Sequence, residues 1–211
     1  MTENAELDTG LRERKRLRTH RAISDAAIRL FLERGFDQVS VAEVAAAAEV
    51  SKPTLFKYFP TKEDLVVERF ADHIDEEARV VSGRADGESA IGVLRAHFLA
   101  RLAAHDATVG LDDHEHTLAF QRLFFANPSL LRRAQERGTS EQALVEVFLA
   151  ETGDELAARV AATQIFAVTQ LLVRDNMSRL LAGERADDVE PDAVAAANRA
   201  FDLLAEGLGQ L

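Results

Sequence analysis

The side chains suited to metal and acid–base chemistry crowd one part of the 211-residue chain: His97, then His105-Asp106, then Asp112-Asp113-His114-Glu115-His116. Imidazole and carboxylate suit zinc, nickel or iron, so this cluster carries the one enzymatic reading, a metal-dependent helical hydrolase built on His105 and Asp106. The opposing reading is a solvated loop, because Gly110 and three acids lie between His105 and His114. No other histidine and carboxylate pairing adds ligands at a metal-site spacing. The chain has no cysteine, which excludes disulfides, thiolate metal sites and thiol nucleophiles. Ser, Lys and Tyr form no nucleophile–base arrangement. The expectation is therefore no catalytic residue, no metal and no cofactor.

The second chemistry is cationic. A net charge of −11 speaks against a polyanionic partner until it is divided along the chain. Residues 11–62 hold eleven basic and six acidic residues, whereas residues 63–211 hold fourteen arginines against twenty-seven acids. All four lysines, Lys15, Lys52, Lys57 and Lys62, fall in the basic segment. A basic module on an acidic body turns one face toward a polyanion and repels it elsewhere. The run Arg12, Arg14, Lys15, Arg16, Arg18 and Arg21 reads equally as a solvated face or as a phosphate-binding arm.

The elements that must position these cations are short helices. Ile23, Ala26, Ala27, Leu30 and Phe31 recur at helical spacing, and Gly35 supplies a C-terminal stop. Ser40-Val41-Ala42-Glu43 is a capping box that opens a short helix with Val41, Val44, Ala45 and Ala48 inward. Ser51 caps a second short helix, KPTLFKYF, with Pro53 in its first turn. There Leu55 and Phe59 pack inward with Phe56 beside them, which leaves Lys52, Thr54, Lys57 and Tyr58 outward. Two short helices joined by a tight turn, the second polar and basic, match a helix-turn-helix. Thr61-Lys62-Glu63-Asp64 resembles another capping box and predicts a long helix over residues 62–81, with Lys62 as a phosphate clamp at its start.

Residues 18–70 resemble the DNA-binding domain of the TetR family of bacterial transcriptional regulators. The match is carried by Gly35-Phe36, by Val39-Ser40-Val41, by Tyr58-Phe59-Pro60 and by Lys62-Glu63-Asp64-Leu65. Glu49 departs from the family, which usually has glycine in that turn. The resemblance implies an all-α protein with a flexible basic arm at residues 1–17, a helix-turn-helix domain at 18–62 and a helical ligand-binding and dimerisation domain at 63–211. The expected DNA contacts are Ser40, Lys52, Pro53, Thr54, Lys57, Tyr58 and Lys62. The expected partners are double-stranded operator DNA and a second copy of the chain, the last two helices pairing with their twin through faces that include Leu172 and Phe201. The remaining alternative is an architectural DNA binder that senses nothing.

Beyond residue 87 the periodicity predicts helices at about 88–104, 115–126, 128–151, 154–182 and 190–209. Aromatic residues concentrate in the middle. Phe98, Phe120, Phe124 and Phe166, with Gln121 and Gln170 as polar guides, are the expected lining of an apolar effector pocket, against a plain core-packing reading. Residues 123–133 resemble a TetR subclass whose C-terminal domain is associated with acyl-CoA-like ligands. The implied effector is small and apolar or acyl-chain-bearing, and it releases the DNA. Arg132, Arg133 and Arg137 could meet its acidic headgroup or simply be solvated. No stretch of about 18 uncharged apolar residues and no apolar segment in the first ten residues predict a cytoplasmic protein without a membrane partner.

Overall fold

The computed structural model describes the backbone of residues 3–136 and 140–208, and the side chains of residues 14–69, 73–136 and 140–207. Every regular element among them is helical, as the patterning requires: α1 (Glu3–Arg34), α2 (Val41–Ala47), α3 (Lys52–Tyr58), α4 (Asp64–Val67), α5 (Glu76–Ser82), α6 (Ala90–Ala103), α7 (Glu115–Ala126), α8 (Pro128–Glu136), α9 (Ser140–Thr152), α10 (Glu155–Leu181) and α11 (Ala186–Leu208). The observed elements differ from the expected ones in four places. The helix expected over residues 62–81 is broken into α4, a 3-10 segment at Glu68–His73, and α5. The stretch expected as one helix at 128–151 contains α8 and α9, and Arg137 lies outside the described residues. Pro191 lies inside α11, which has already begun at Ala186. The segment 3–17, expected as an arm, continues α1, and the side chain of Arg12 lies outside the described residues.

The chain divides into two compact units, and the division is not the one the sequence suggests. The first unit contains residues up to Arg69 together with Phe120–Ala134, and the second contains Phe70–Ala119 and residues from Gln135 onward. Residues 120–134, expected in the ligand domain, thus complete the core of the helix-turn-helix unit. That core buries Ile23, Ala27, Ile28 and Phe31 of α1, Val44 and Ala45 of α2, Leu55 and Phe59 around α3, and Leu65, Val66 and Val67 of α4. Phe120, Phe124 and Leu130 fill the same cluster.

A buried ion pair closes this unit. Asp64 is 1% exposed, and its carboxylate accepts Arg133 Nε at 2.9 Å and a second guanidinium nitrogen at 3.1 Å. The Thr61 backbone N–H and hydroxyl donate to it at 2.9 and 2.8 Å, and Asp64 N–H returns a bond to the Thr61 hydroxyl at 3.2 Å. This is the expected capping box, with a partner from 69 residues away. Burial pushes the Asp64 carboxyl up, but the hydrogen bonds from Arg133 and Thr61 outweigh it and hold the group below the usual carboxylate range.

In the second unit α10 packs against both α9 and α11, while α5 packs on α6 and α9. Its core includes Leu94, Phe98 and Leu102 of α6, Leu144 and Phe148 of α9, Ile165 and Leu172 of α10, and Phe201 of α11. Small residues Ala158, Ala161 and Ala162 are fully buried and bring α10 close to its neighbours. By length and composition α10 could cross a membrane, contrary to expectation. Nine of its residues, Asn176 among them, are nonetheless buried inside this unit. Asn176 Nδ2 donates to the Val109 carbonyl at 2.9 Å. Gly110 beside it has φ +72°, and a Cβ there would collide with the Val173 carbonyl oxygen. Glu77 of α5 places its Oε2 where water does not reach and no hydrogen-bond partner stands. Burial pushes the Glu77 carboxyl up, and the hydroxyls of Thr169 and Ser140 offset this only in part.

Two outcomes follow from these carboxylates. Arg133→Met keeps the length but strands Asp64 as a buried charge, and it should cost about 3–5 kcal/mol at pH 7. Asp64 is held low in the native chain, so its stabilisation is present above the ordinary carboxylate range and is lost as pH falls through its lowered pKa. The deficit of the variant should therefore shrink only below the ordinary carboxylate range, which urea unfolding at pH 7, pH 4 and about pH 2.5 would show. Glu77 has the opposite sign: with a raised pKa its ionisation opposes folding at neutral pH and ceases to do so below the ordinary carboxylate range. Glu77→Gln should stabilise by roughly 1–2 kcal/mol at pH 7 and by much less at pH 4, in the same measurement.

Candidate nucleic-acid interface

The helix-turn-helix is built by local rules. Ser40 accepts the Glu43 N–H at 3.2 Å, and Glu43 Oε2 accepts the Ser40 N–H at 2.8 Å, which closes the capping box at the start of α2. The Ser40 hydroxyl also donates to Glu43 Oε2 at 2.8 Å. The backbone bond from Ser40, its hydroxyl and Arg34 together hold the Glu43 carboxyl at about 2. The Ser40 donors expected for phosphate are thus already spent on a carboxylate. Ser51 caps α3 through the Thr54 N–H at 3.2 Å, and the Ser51 and Thr54 hydroxyls share a 2.7 Å bond.

The turn between α2 and α3 depends on Glu49, which stands at φ +54°. A side chain with a Cβ costs roughly 1–2 kcal/mol in this left-handed region, which explains why glycine is the natural occupant. The conformation lets the Glu49 and Val50 N–H groups bond the carbonyls of Ala46 and Ala45 at 3.1 and 2.9 Å, ending α2 within one turn.

The structure sorts the expected contacts of α3 differently from the sequence. Lys52, Pro53 and Lys57 are exposed, as expected. Thr54 and Tyr58 are half-buried; Thr54 is tied to Ser51, and Tyr58 stands edge-on to His20 with ring centres 6.2 Å apart. Phe56, expected inward beside Leu55 and Phe59, is instead 44% exposed. Lys62 is directed into the protein. Its Nζ donates to the Phe36 carbonyl at 2.5 Å and lies 4.3 Å from the centre of the Phe36 ring. It thereby ties the start of α4 to the chain just after α1.

The expected effector-pocket residues are divided between the two units. Phe120, Gln121 and Phe124 belong to the first unit. There Arg69 lies over the Phe120 ring at 5.7 Å, and Gln121 Oε1 is buried without a hydrogen-bond partner. Phe98, Phe166 and Gln170 belong to the second unit. Phe98 packs on Phe201 at 6.0 Å in its core, while Phe166 and Gln170 are half-buried on α10. Sequence reasoning missed Glu77, whose only sign was an acid one turn before the apolar pair Val80-Val81.

The histidine cluster is occupied by structural contacts. His97 Nε2 lies 3.1 Å from Glu76, and His105 Nε2 lies 3.1 Å from Glu190. Asp106 pairs with Arg101 at 2.5 Å and caps the 3-10 turn Ala107–Val109 through Thr108. His114 is held by Asp112 at 2.5 Å, and Asp113 accepts the Ala186 N–H at 3.0 Å. Among the described residues no group of three His, Asp or Glu side chains converges to hold a metal ion.

Comparison with known proteins matches residues 23–68 to the model of bacterial regulatory proteins of the tetR family. The chain is 30% identical to the transcriptional regulator TcmR of Streptomyces glaucescens over 70% of its own length and 66% of that protein. It is 32% identical to the uncharacterised regulator YdeS of Bacillus subtilis over 64% of its own length and 70% of that protein. The matches thus span about two thirds of these relatives. In fold it resembles NalD of Pseudomonas aeruginosa, the secondary repressor of the MexAB-OprM multidrug efflux pump. That likeness has a TM-score of 0.57 and 21% identity, covering 87% of this chain and 96% of that one. The helix-turn-helix geometry, the family model and the breadth of these similarities lead to one conclusion: the chain belongs to the TetR family of transcriptional regulators and is not an enzyme.

Proposed function

We propose that this regulator acts in the cytoplasm as a homodimeric repressor that binds a palindromic operator and releases it when a small, largely apolar effector occupies the second unit. The observation that carries the DNA-binding part is the exposed, acid-free face of α3, with Lys52 and Lys57 on it. One seven-residue helix spans too few base pairs for specificity in a genome. Two of them about 34–36 Å apart supply the missing readout.

The second copy has a natural seat. Leu156, Val160, Ala167 and Leu171 fall on one face of α10 and are exposed, Leu156 at 73%. Leu203 of α11 is exposed as well, at 63%. Apolar surface of this kind, in line along two helices, favours burial against a partner. Leu172 and Phe201, expected at this interface, are buried within their own chain, so the interface passes to their neighbours Leu171 and Leu203.

The effector reading rests on the second unit alone. Phe98, Phe166 and Gln170 are its proposed contacts, with Glu77 as a buried acceptor that a hydrogen-bond donor on the effector would satisfy. The chain crosses between its units within the 3-10 segment Glu68–His73, within α7 and within α8. A ligand that favours one arrangement of these connections over another shifts DNA affinity by its differential binding energy, about 1–3 kcal/mol or 5–150-fold, and by linkage DNA weakens the ligand equally.

The test is selection of duplexes from a random pool by the purified chain. It should yield two inverted half-sites, and a pool with no enrichment overturns the reading. Lys57→Ala should weaken the selected duplex and reduce the slope of log affinity against log salt by about one, as read by fluorescence anisotropy. Leu171→Asp with Leu203→Asp should give folded monomers in analytical ultracentrifugation and weaken operator binding by at least tenfold. Dimers that persist would move the interface elsewhere.

A further inference from the structure

The exposed residues of α3 are ordered in a way that assigns them different tasks. At 100° per residue, Lys52, Phe56, Pro53 and Lys57 follow one another around an exposed arc of roughly 140°, with the buried Leu55 and Phe59 beyond its Lys52 edge. The two cations form the edges of the arc and the two apolar side chains form its middle. Phe56 leaves 44% of its surface in water, a costly position for an aromatic ring on a helix that carries no acid. The major groove has the matching section. Its walls are rows of phosphate, and its floor is base edges, where the only apolar group is the 5-methyl of thymine.

We propose that Phe56 is a specificity-determining residue that reads the 5-methyl group of thymine on the groove floor, while Lys52 and Lys57 engage the walls. This deepens the DNA-binding reading and rests on it. The half-site beneath α3 accordingly contains thymine, and the discrimination is against any base that lacks the methyl, including uracil, whose hydrogen-bonding edge is identical. Thr54 and Tyr58, half-buried and turned toward Ser51 and His20, support the helix from its flanks.

The experiment uses the full chain and the duplex it selects from a random pool. Each thymine of the half-sites is replaced singly, and in symmetric pairs, by deoxyuridine. Removing one methyl should weaken binding of the native chain about fourfold at one position, and a symmetric pair should weaken it roughly fifteenfold. Phe56→Ala, and Phe56→Gln as a second variant of similar bulk, should bind the thymine and deoxyuridine duplexes equally. Circular dichroism should show both variants folded, since the side chain lies outside the core. If the native chain is indifferent to deoxyuridine, or if both variants lose as much as the native chain, Phe56 does not read the methyl, although the DNA-binding reading stands. If no duplex is enriched at all, that reading fails and this inference fails with it.

Discussion

Asp64 carries a full negative charge at a place water does not reach, and the first unit is organised around keeping that charge paired. Thr61 supplies two of its hydrogen bonds from the same turn, and Arg133 supplies opposite charge. An unpaired carboxylate in such a place costs several kcal/mol, so the segment holding Arg133 is bound to α4. Phe120, Phe124 and Leu130 come with it and complete the core beneath α1 and α4. The position of α2 against α1, and of α3 against α2, is then fixed by Val44, Ala45 and Leu55 packing into that same core.

Charge is divided within the unit by where each cation can find a partner. Lys62 reaches the carbonyl of Phe36 and the faces of two phenylalanine rings, so its ammonium works as an internal tie. Arg34 holds Glu43 at 2.8 Å and fastens the end of α1 to α2. Lys52 and Lys57 stand exposed on α3 with no acid on their helix. A count of basic residues treats all of these alike, whereas the fold keeps some for its own cohesion and presents others outward.

What the sequence made legible is what chemistry decides within three or four residues. The capping boxes at Ser40 and Thr61, the serine cap of α3, the stop at Gly35 and the conflict at Glu49 were all readable, because each involves a side chain and a backbone group one turn apart. The helical character of the whole chain was readable from its period. The pairing of Asp64 with Arg133 was not, because a 69-residue separation leaves no periodic trace. The allotment of residues 120–134 to the first unit followed that pairing and was missed with it. Phe56 was misjudged by assuming that an aromatic beside two buried residues shares their direction, although 100° of rotation separates it from Leu55. Leu172 and Phe201 were misassigned by the reverse error, a core face mistaken for an outer one. Glu77 gave no sign beyond its place one turn before Val80-Val81, since burial of one acid among many is a property of the closed chain.

The discontinuity of the first unit has a consequence for the order in which the protein comes into being. Its first segment ends at Arg69, and its last residues lie at Ala134, so 65 further residues must be synthesised before the unit can close. At about 5–20 residues per second, the nascent helix-turn-helix spends roughly 3–13 seconds with Asp64 lacking its guanidinium and with the apolar faces of α1 and α4 uncovered. Throughout that interval the chain that will later grip a polyanion is an incomplete, aggregation-prone intermediate on the ribosome.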